Sequence, residues 1–199
     1  KGRGLGELVG PQYIAVATSG NVFVTDYGNA RVVVFDPEGN PLFSFGSKSK
    51  SFRGFVAPAG IAISGERVYV ADNVTGALHL FDLSGNYIEE FLPEGSIRNA
   101  ESIRPWNGGL VVALPSKALY LNPDTGARFE LASLGNAPAR VTGLCIDANG
   151  NLVMADYKGG FVQIGPDGSV AKGKFYLSRP GKIRFEYQPP AALLVVADG

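Results

Sequence analysis

Four aspartates recur at the ends of short apolar runs: Asp26 in VFVTD, Asp72 in VYVAD, Asp156 in LVMAD and Asp198 in LVVAD. Matched carboxylates could form a cation-binding ring. The same residue type also accepts backbone N–H bonds in Asx turns, and a feature repeated in nearly every unit serves architecture before it serves one reaction centre. All four are expected to be structural turn residues, with Arg31 placed to pair with Asp26 across its turn.

The other chemically able residues are sparse. His79, in ALHLFD, is the single histidine. That excludes any site built on two or three imidazoles, and a lone histidine in a strand is expected to be packed or surface-lying rather than a base. No Gly-x-Ser-x-Gly elbow accompanies it. DANGN (residues 147–151) resembles the start of a calcium loop, but Leu152 stands at the sixth position and Lys158 at the twelfth, where glycine and glutamate are needed. An Asn-Gly hairpin turn accounts for it. The glycines of GRGLGELVG (residues 2–10) neither follow a strand nor open a helix, so they make no phosphate loop. Cys145 is the only cysteine, which rules out an internal disulfide or a multi-cysteine metal site. Its apolar context, LCID, leads us to expect a buried thiol. No catalytic residue, metal ligand or cofactor is assigned.

Binding residues are better represented. IRPWNGG (residues 103–109) sets the sole tryptophan, Trp106, beside Arg104 in what reads as a turn after a first strand. Tyr27 and Tyr157 directly follow Asp26 and Asp156. Arginine and aromatic side chains on loops are enriched in interface hot spots. Trp106 is expected first to pack over a sheet edge; the functional alternative makes Tyr27, Arg104, Trp106 and Tyr157 the candidate contact residues. A basic tract containing Lys48 and Lys50 is expected to be a solvated loop.

These residues must be positioned by strands. The 199 residues include 27 Gly and 13 Pro, with 45% hydrophobic and only 18% charged, a turn-rich composition that leans all-β. Lys+Arg and Asp+Glu balance at 18 each, so the basic excess expected of a nucleic-acid binder is missing. No run approaches the ~18 apolar residues of a membrane helix, and membrane insertion is not expected.

The runs repeat. Asp26, Asp72, Leu114, Asp156 and Asp198 lie 46, 42, 42 and 42 residues apart, and the turn glycines Gly39, Gly85, Gly126 and Gly168 lie 46, 41 and 42 apart. Two independent markers thus keep one period. Each period holds four short strands separated by turns such as SGN, NGN and PEGN. Four antiparallel strands per ~42 residues define a β-propeller blade, whose two apolar faces are buried by its neighbours. The blades are expected at about 11–47, 57–93, 100–133 and 139–176, with a partial fifth at 181–199 and a lead-in segment at 1–10.

The stretch GPQYIAVATSGNVFVTDYGNARVVVFDPEGNPLFSFGS resembles an NHL repeat: a Gly/Ile/Ala/Val opening, a Val-x-Val-x-Asp strand, Asn-x-Arg, then Val-Phe-Asp-x-x-Gly. The second unit follows the pattern well, the third and fourth loosely. Asn29-Ala30-Arg31 lacks the histidine of the motif. The resemblance implies a propeller that usually has six blades, of which about four and a half are present. It also implies a range of roles, from sensor and RNA-binding domains to peptide-amidating lyases, lactonase-type hydrolases and strictosidine-synthase-like enzymes. On resemblance alone the location is the cell envelope or exterior. With no assignable acid–base pair or metal cluster, the expected function is a non-catalytic scaffold that binds a protein partner, with no nucleic acid and an unknown small-molecule ligand. The alternative is a metal-dependent propeller enzyme whose site lies partly in further blades.

Overall fold

A computed structural model of the chain describes residues 2–100, 102–115, 117–133, 141–156, 159–178, 182–189 and 194–198. The fold is all-β, with four antiparallel meanders. The first sheet takes the order β1 (Pro11–Val16), β2 (Val22–Asp26), β3 (Arg31–Phe35), β4 (Pro41–Phe45). The second takes β5 (Pro58–Ser64), β6 (Arg67–Asp72), β7 (Leu78–Asp82), β8 (Tyr87–Leu92). The third takes β9 (Ser102–Trp106), β10 (Gly109–Leu114), β11 (Lys117–Leu121), β12 (Arg128–Ser133). The last is six-stranded: β13 (Val141–Ile146), β14 (Leu152–Asp156), β15 (Gly160–Ile164), β16 (Val170–Ser178), β17 (Lys182–Tyr187), β18 (Leu194–Asp198). The chain divides into two compact units, Lys1–Pro105 and Trp106–Gly199.

The first three sheets each hold four strands in sequence order, and the fourth holds six. The residues expected to open a fifth blade, β17 and β18, instead extend the fourth sheet, with β17 paired to β16 from Gly173↔Tyr187 to Ser178↔Lys182. Linker length gives the reason. Residues 46–57 separate β4 from β5 and 93–101 separate β8 from β9, but only 179–181 lie between β16 and β17. Three residues close a hairpin and do not span to a new sheet.

In the first unit the middle strands are buried almost throughout: Val32, Val33 and Val34 of β3, and Val68 to Ala71 of β6. Continuous apolar runs of this kind belong to strands covered on both faces. Phe23, Phe45, Phe81, Ile61 and Val70 form one core cluster, and Phe45 stacks obliquely on Phe81 at 4.9 Å. Each such phenylalanine contributes about 1.5–3 kcal/mol on burial. The long linker before β5 is not simply a solvated loop, as the sequence led us to expect. Lys48, Lys50 and Arg53 are exposed, but Phe52 and Phe55 turn inward and join the core. Gly46 permits this: its φ is +107°, and a Cβ there would strike the Phe55 ring.

In the second unit Val111, Ala113, Leu144, Leu152, Met154 and Val162 form the corresponding core with Trp106 and Tyr120. Cys145 is exposed, which corrects the expectation of a buried thiol. It lies on β13, an edge strand paired on one side only. Its neighbour Leu144 is buried while Cys145 and Ile146 are both exposed, so an apolar run on an edge strand does not imply burial of both faces.

The same irregularity recurs in first strands. Register shifts fall between Pro11 and Ile14, Pro58 and Ile61, and Val141 and Gly143. In the first sheet the Thr25 hydroxyl covers this bulge, accepting from the Tyr13 amide at 3.0 Å and donating to the Tyr13 carbonyl at 3.2 Å.

Candidate functional site

Two of the repeated aspartates, Asp26 and Asp72, hold backbone amides. Asp26 and Asp72 sit opposite Pro11 and Pro58 at the openings of their sheets. Each reaches the amides that precede the proline. Asp26 Oδ1 accepts from Val9 N at 2.7 Å, while Asp72 Oδ2 accepts from Val56 N at 2.6 Å and Ala57 N at 2.9 Å. They differ in how they hold the following turn. Asp72 Oδ1 accepts from Val74 N and Thr75 N at 3.1 and 3.0 Å. Asp26 instead takes side-chain donors, Asn29 Nδ2 at 2.7 Å and Arg31 Nε at 3.0 Å. Burial pushes the Asp72 carboxyl up, but the amides of Thr75, Ala57 and Val56 outweigh it and hold it below its usual 3.8. Asp156 and Asp198 end β14 and β18, and their side chains lie outside the described residues.

Arg31 carries the arrangement further. Its guanidinium donates to the carbonyls of Arg3, Gly4 and Glu7 at 3.1, 2.8 and 2.7 Å, and Asn29 Nδ2 donates to Gly2 O at 2.8 Å. The lead-in segment is thereby fastened to the first sheet. Asp147 of DANGN accepts from Asn149 N, Asn151 N and Asn151 Nδ2 at 2.8–2.9 Å and from Gln163 Nε2 at 3.3 Å, and its carboxyl is held low by hydrogen bonds, the Asn151 side chain first.

Tyr27 lies in a short 3-10 turn, Tyr27–Asn29, and is 39% exposed. Arg104 is not in a turn but within β9, half-buried, donating to the Ile103 carbonyl at 2.9 Å. Tyr157 lies outside the described residues. Trp106 is also not in the turn: it is the last residue of β9 and only 7% exposed. Its Nε1 donates to Gly150 O at 2.9 Å. Asn107 and Gly108, at φ +48° and +74°, make the tight turn that follows, and Asn107 Nδ2 reaches Pro166 O at 3.2 Å.

Trp106 does open one wall of a cleft. The cleft measures about 350 Å³ and is lined by Trp106, Asn107, Tyr120, Phe129, Glu130, Leu131, Ile164, Pro166, Gly168 and Val170. Trp106 meets Tyr120 edge-on at 6.2 Å, and Tyr120 meets Phe129 at 5.0 Å. Tyr120 Oη donates to Asn107 O at 2.9 Å, which fixes the ring. Phe129 and Val170 leave 51% and 50% of their surface in water. The sequence showed Trp106 but not Phe129. Its one signal was a phenylalanine flanked by Arg128 and Glu130 on the outermost strand of a sheet, where alternation turns it outward.

His79 was expected to be packed or surface-lying, and it is packed. Phe52 and Phe55 approach it edge-on at 5.0 and 5.8 Å, and Tyr87 lies at 6.1 Å. Burial depresses its pKa below 6.5, against the opposing pull of Glu90, Asp72 and Glu94. Among the described residues no three His, Cys, Asp or Glu side chains are grouped to hold a metal ion.

Sheet order and period are those of β-propeller blades. The NHL repeat family profile matches residues 8–35, the first repeat unit through β3. A second profile, Outer membrane lipoprotein carrier protein LolA, matches residues 154–199, which hold the continuous meander through β18. No curated protein matches the sequence. Among solved structures, a chain of a nidogen/laminin complex superimposes with a TM-score of 0.69 at 15% identity, over 88% of this chain and 71% of that one. Virginiamycin B lyase from Staphylococcus aureus gives 0.66 at 12% identity over 95% and 70%. A streptogramin B lyase gives 0.66 at 12% over 95% and 68%. At these identities the likeness is one of fold.

Proposed function

We propose that the chain is a non-catalytic protein-interaction module and that the Trp106–Tyr120–Phe129 cleft receives an apolar side chain of a protein partner. The carrying observation is the cleft itself. It offers a rigid aromatic wall, fixed by the Trp106–Gly150 and Tyr120–Asn107 bonds, beside half-exposed Phe129 and Val170 with Asn107 and Glu130 at the rim. A buried aromatic anchor within a polar rim is the anatomy of an interface hot spot. Two further observations favour binding over catalysis: Asp26 and Asp72 are spent on amides and side-chain donors, and His79 is enclosed by aromatic rings. The nidogen/laminin neighbour shows this fold within a protein complex. Tyr27, Arg104 and Tyr157 are proposed as further contact residues.

Affinity capture with the wild-type chain and with Phe129→Asp tests the reading. Capture of a partner should fall about tenfold or more in the variant, with the thermal midpoint unchanged. Equal capture by both proteins would refute it.

A further inference from the structure

A second cavity, in the first unit, has a different chemistry. It measures about 430 Å³, and its walls include His79, Tyr87, Thr75, Arg53, Glu90 and Glu94. The register His79↔Glu90 sets the glutamate across from the imidazole on adjacent strands. Glu90 and Glu94 are exposed, whereas His79 is 7% exposed. Its Nδ1 is buried with no hydrogen-bond partner, and a buried acceptor left unpaired is unfavourable.

We infer that this cavity is a receptor for an arginine side chain of a protein partner. Carboxylates at the opening supply charge for a guanidinium, whose planar fork suits paired acceptors. Tyr87 and the phenylalanine rings beside it supply an apolar wall for the methylene stem. With its proton on Nε2, the imidazole keeps Nδ1 as an unpaired acceptor within the cavity wall. The chain already displays the chemistry at the rim: Arg53 Nη1 lies 3.2 Å from Glu94 Oε1, with the arginine side chain 91% exposed. So exposed a pair contributes little to stability and yields readily to a better-seated guanidinium. The inference stands apart from the cleft at Trp106, and neither depends on the other.

The single histidine makes the test direct, since its ring protons give one unmistakable set of NMR signals. The full chain is titrated with acetyl-Gly-Arg-Gly-amide and, separately, with the same peptide carrying citrulline, which keeps the shape and removes the charge. The arginine peptide should shift the His79 signal saturably, with half-saturation in the millimolar range expected of one partly solvated charge contact. Citrulline should not. The double variant E90Q/E94Q should weaken the response about tenfold, while R53A, which removes the internal competitor, should leave it equal or stronger. Phe129→Asp should not alter it. No saturable shift, an equal response to citrulline, or an undiminished response in E90Q/E94Q would each overturn the inference.

Discussion

Arg31 Nε lies 3.0 Å from Oδ2 of Asp26, and the Asp26 side chain has no exposed surface. A buried carboxylate of this kind is tolerable only when its oxygens are fully engaged, and here the donors come from three places: the Val9 amide, Asn29 and Arg31. The pair is thus a fastening between the first sheet and the segment that precedes it.

Asp26→Ala is expected to destabilise the first unit by about 3 kcal/mol, because it leaves a largely buried guanidinium without its counter-charge. Arg31→Ala should in addition free residues 2–7. Hydrogen exchange reads both effects, with the Val9 and Gly28 amides accelerating first, since Gly28 N donates to Val9 O. Unchanged exchange at Val9 in Asp26→Ala would count against the fastening.

Asp72 has a pH signature. Its folded pKa lies below 3.8, so the stability it confers is fully present above that unfolded-state value and is lost as pH falls through the folded one. Wild type and Asp72→Asn should therefore differ most near neutrality and converge in acid. Thermal midpoints across pH 2 to 7 (about five points) check this, and parallel curves would refute it.

Trp106 should report on its cleft. Trp106→Phe forfeits the bond to Gly150 and should cost about 1–2 kcal/mol, whereas Trp106→Ala should cost about 3–5 kcal/mol by opening the core it shares with Tyr120. Denaturation followed by circular dichroism separates the two. Equal, negligible losses would mean that the indole is not packed as described.

Cys145, exposed on β13, should react with a thiol reagent in the native state. Labelling of about one thiol per chain without denaturant is expected, and labelling that appears only on unfolding would restore the buried assignment.

The repeat was legible because its markers are spacings: Asp26 to Asp72 and Gly39 to Gly85 each step by 46 residues, and strand number follows from turn chemistry alone. The extension of the fourth sheet was not legible, because LVVAD at the end of the chain reads like the second strand of a new blade while the short link at 179–181 decides where β17 pairs. That Asp26 and Asp72 accept hydrogen bonds around their turns could be read from residue type. Their reach back to Val9, Val56 and Ala57 could not, since it depends on the antiparallel opening that brings those amides alongside. The His79–Glu90 pairing was hidden for a similar reason: the register shift between Leu80 and Phe81 defeats counting from the turn. Trp106 was found by rarity, and Phe129 was missed because a single aromatic on an outer strand carries no spacing signal.

The central claim is that a partner's apolar side chain enters the cleft beside Phe129. Site-specific incorporation of a benzophenone amino acid at position 129, and at Ile88 as an equally exposed control, tests it in the source cells. A discrete protein adduct from position 129, lost on competition with excess unlabelled wild-type chain and missing from position 88, is the expected result. No adduct at 129, or the same adducts from both positions, would contradict the account.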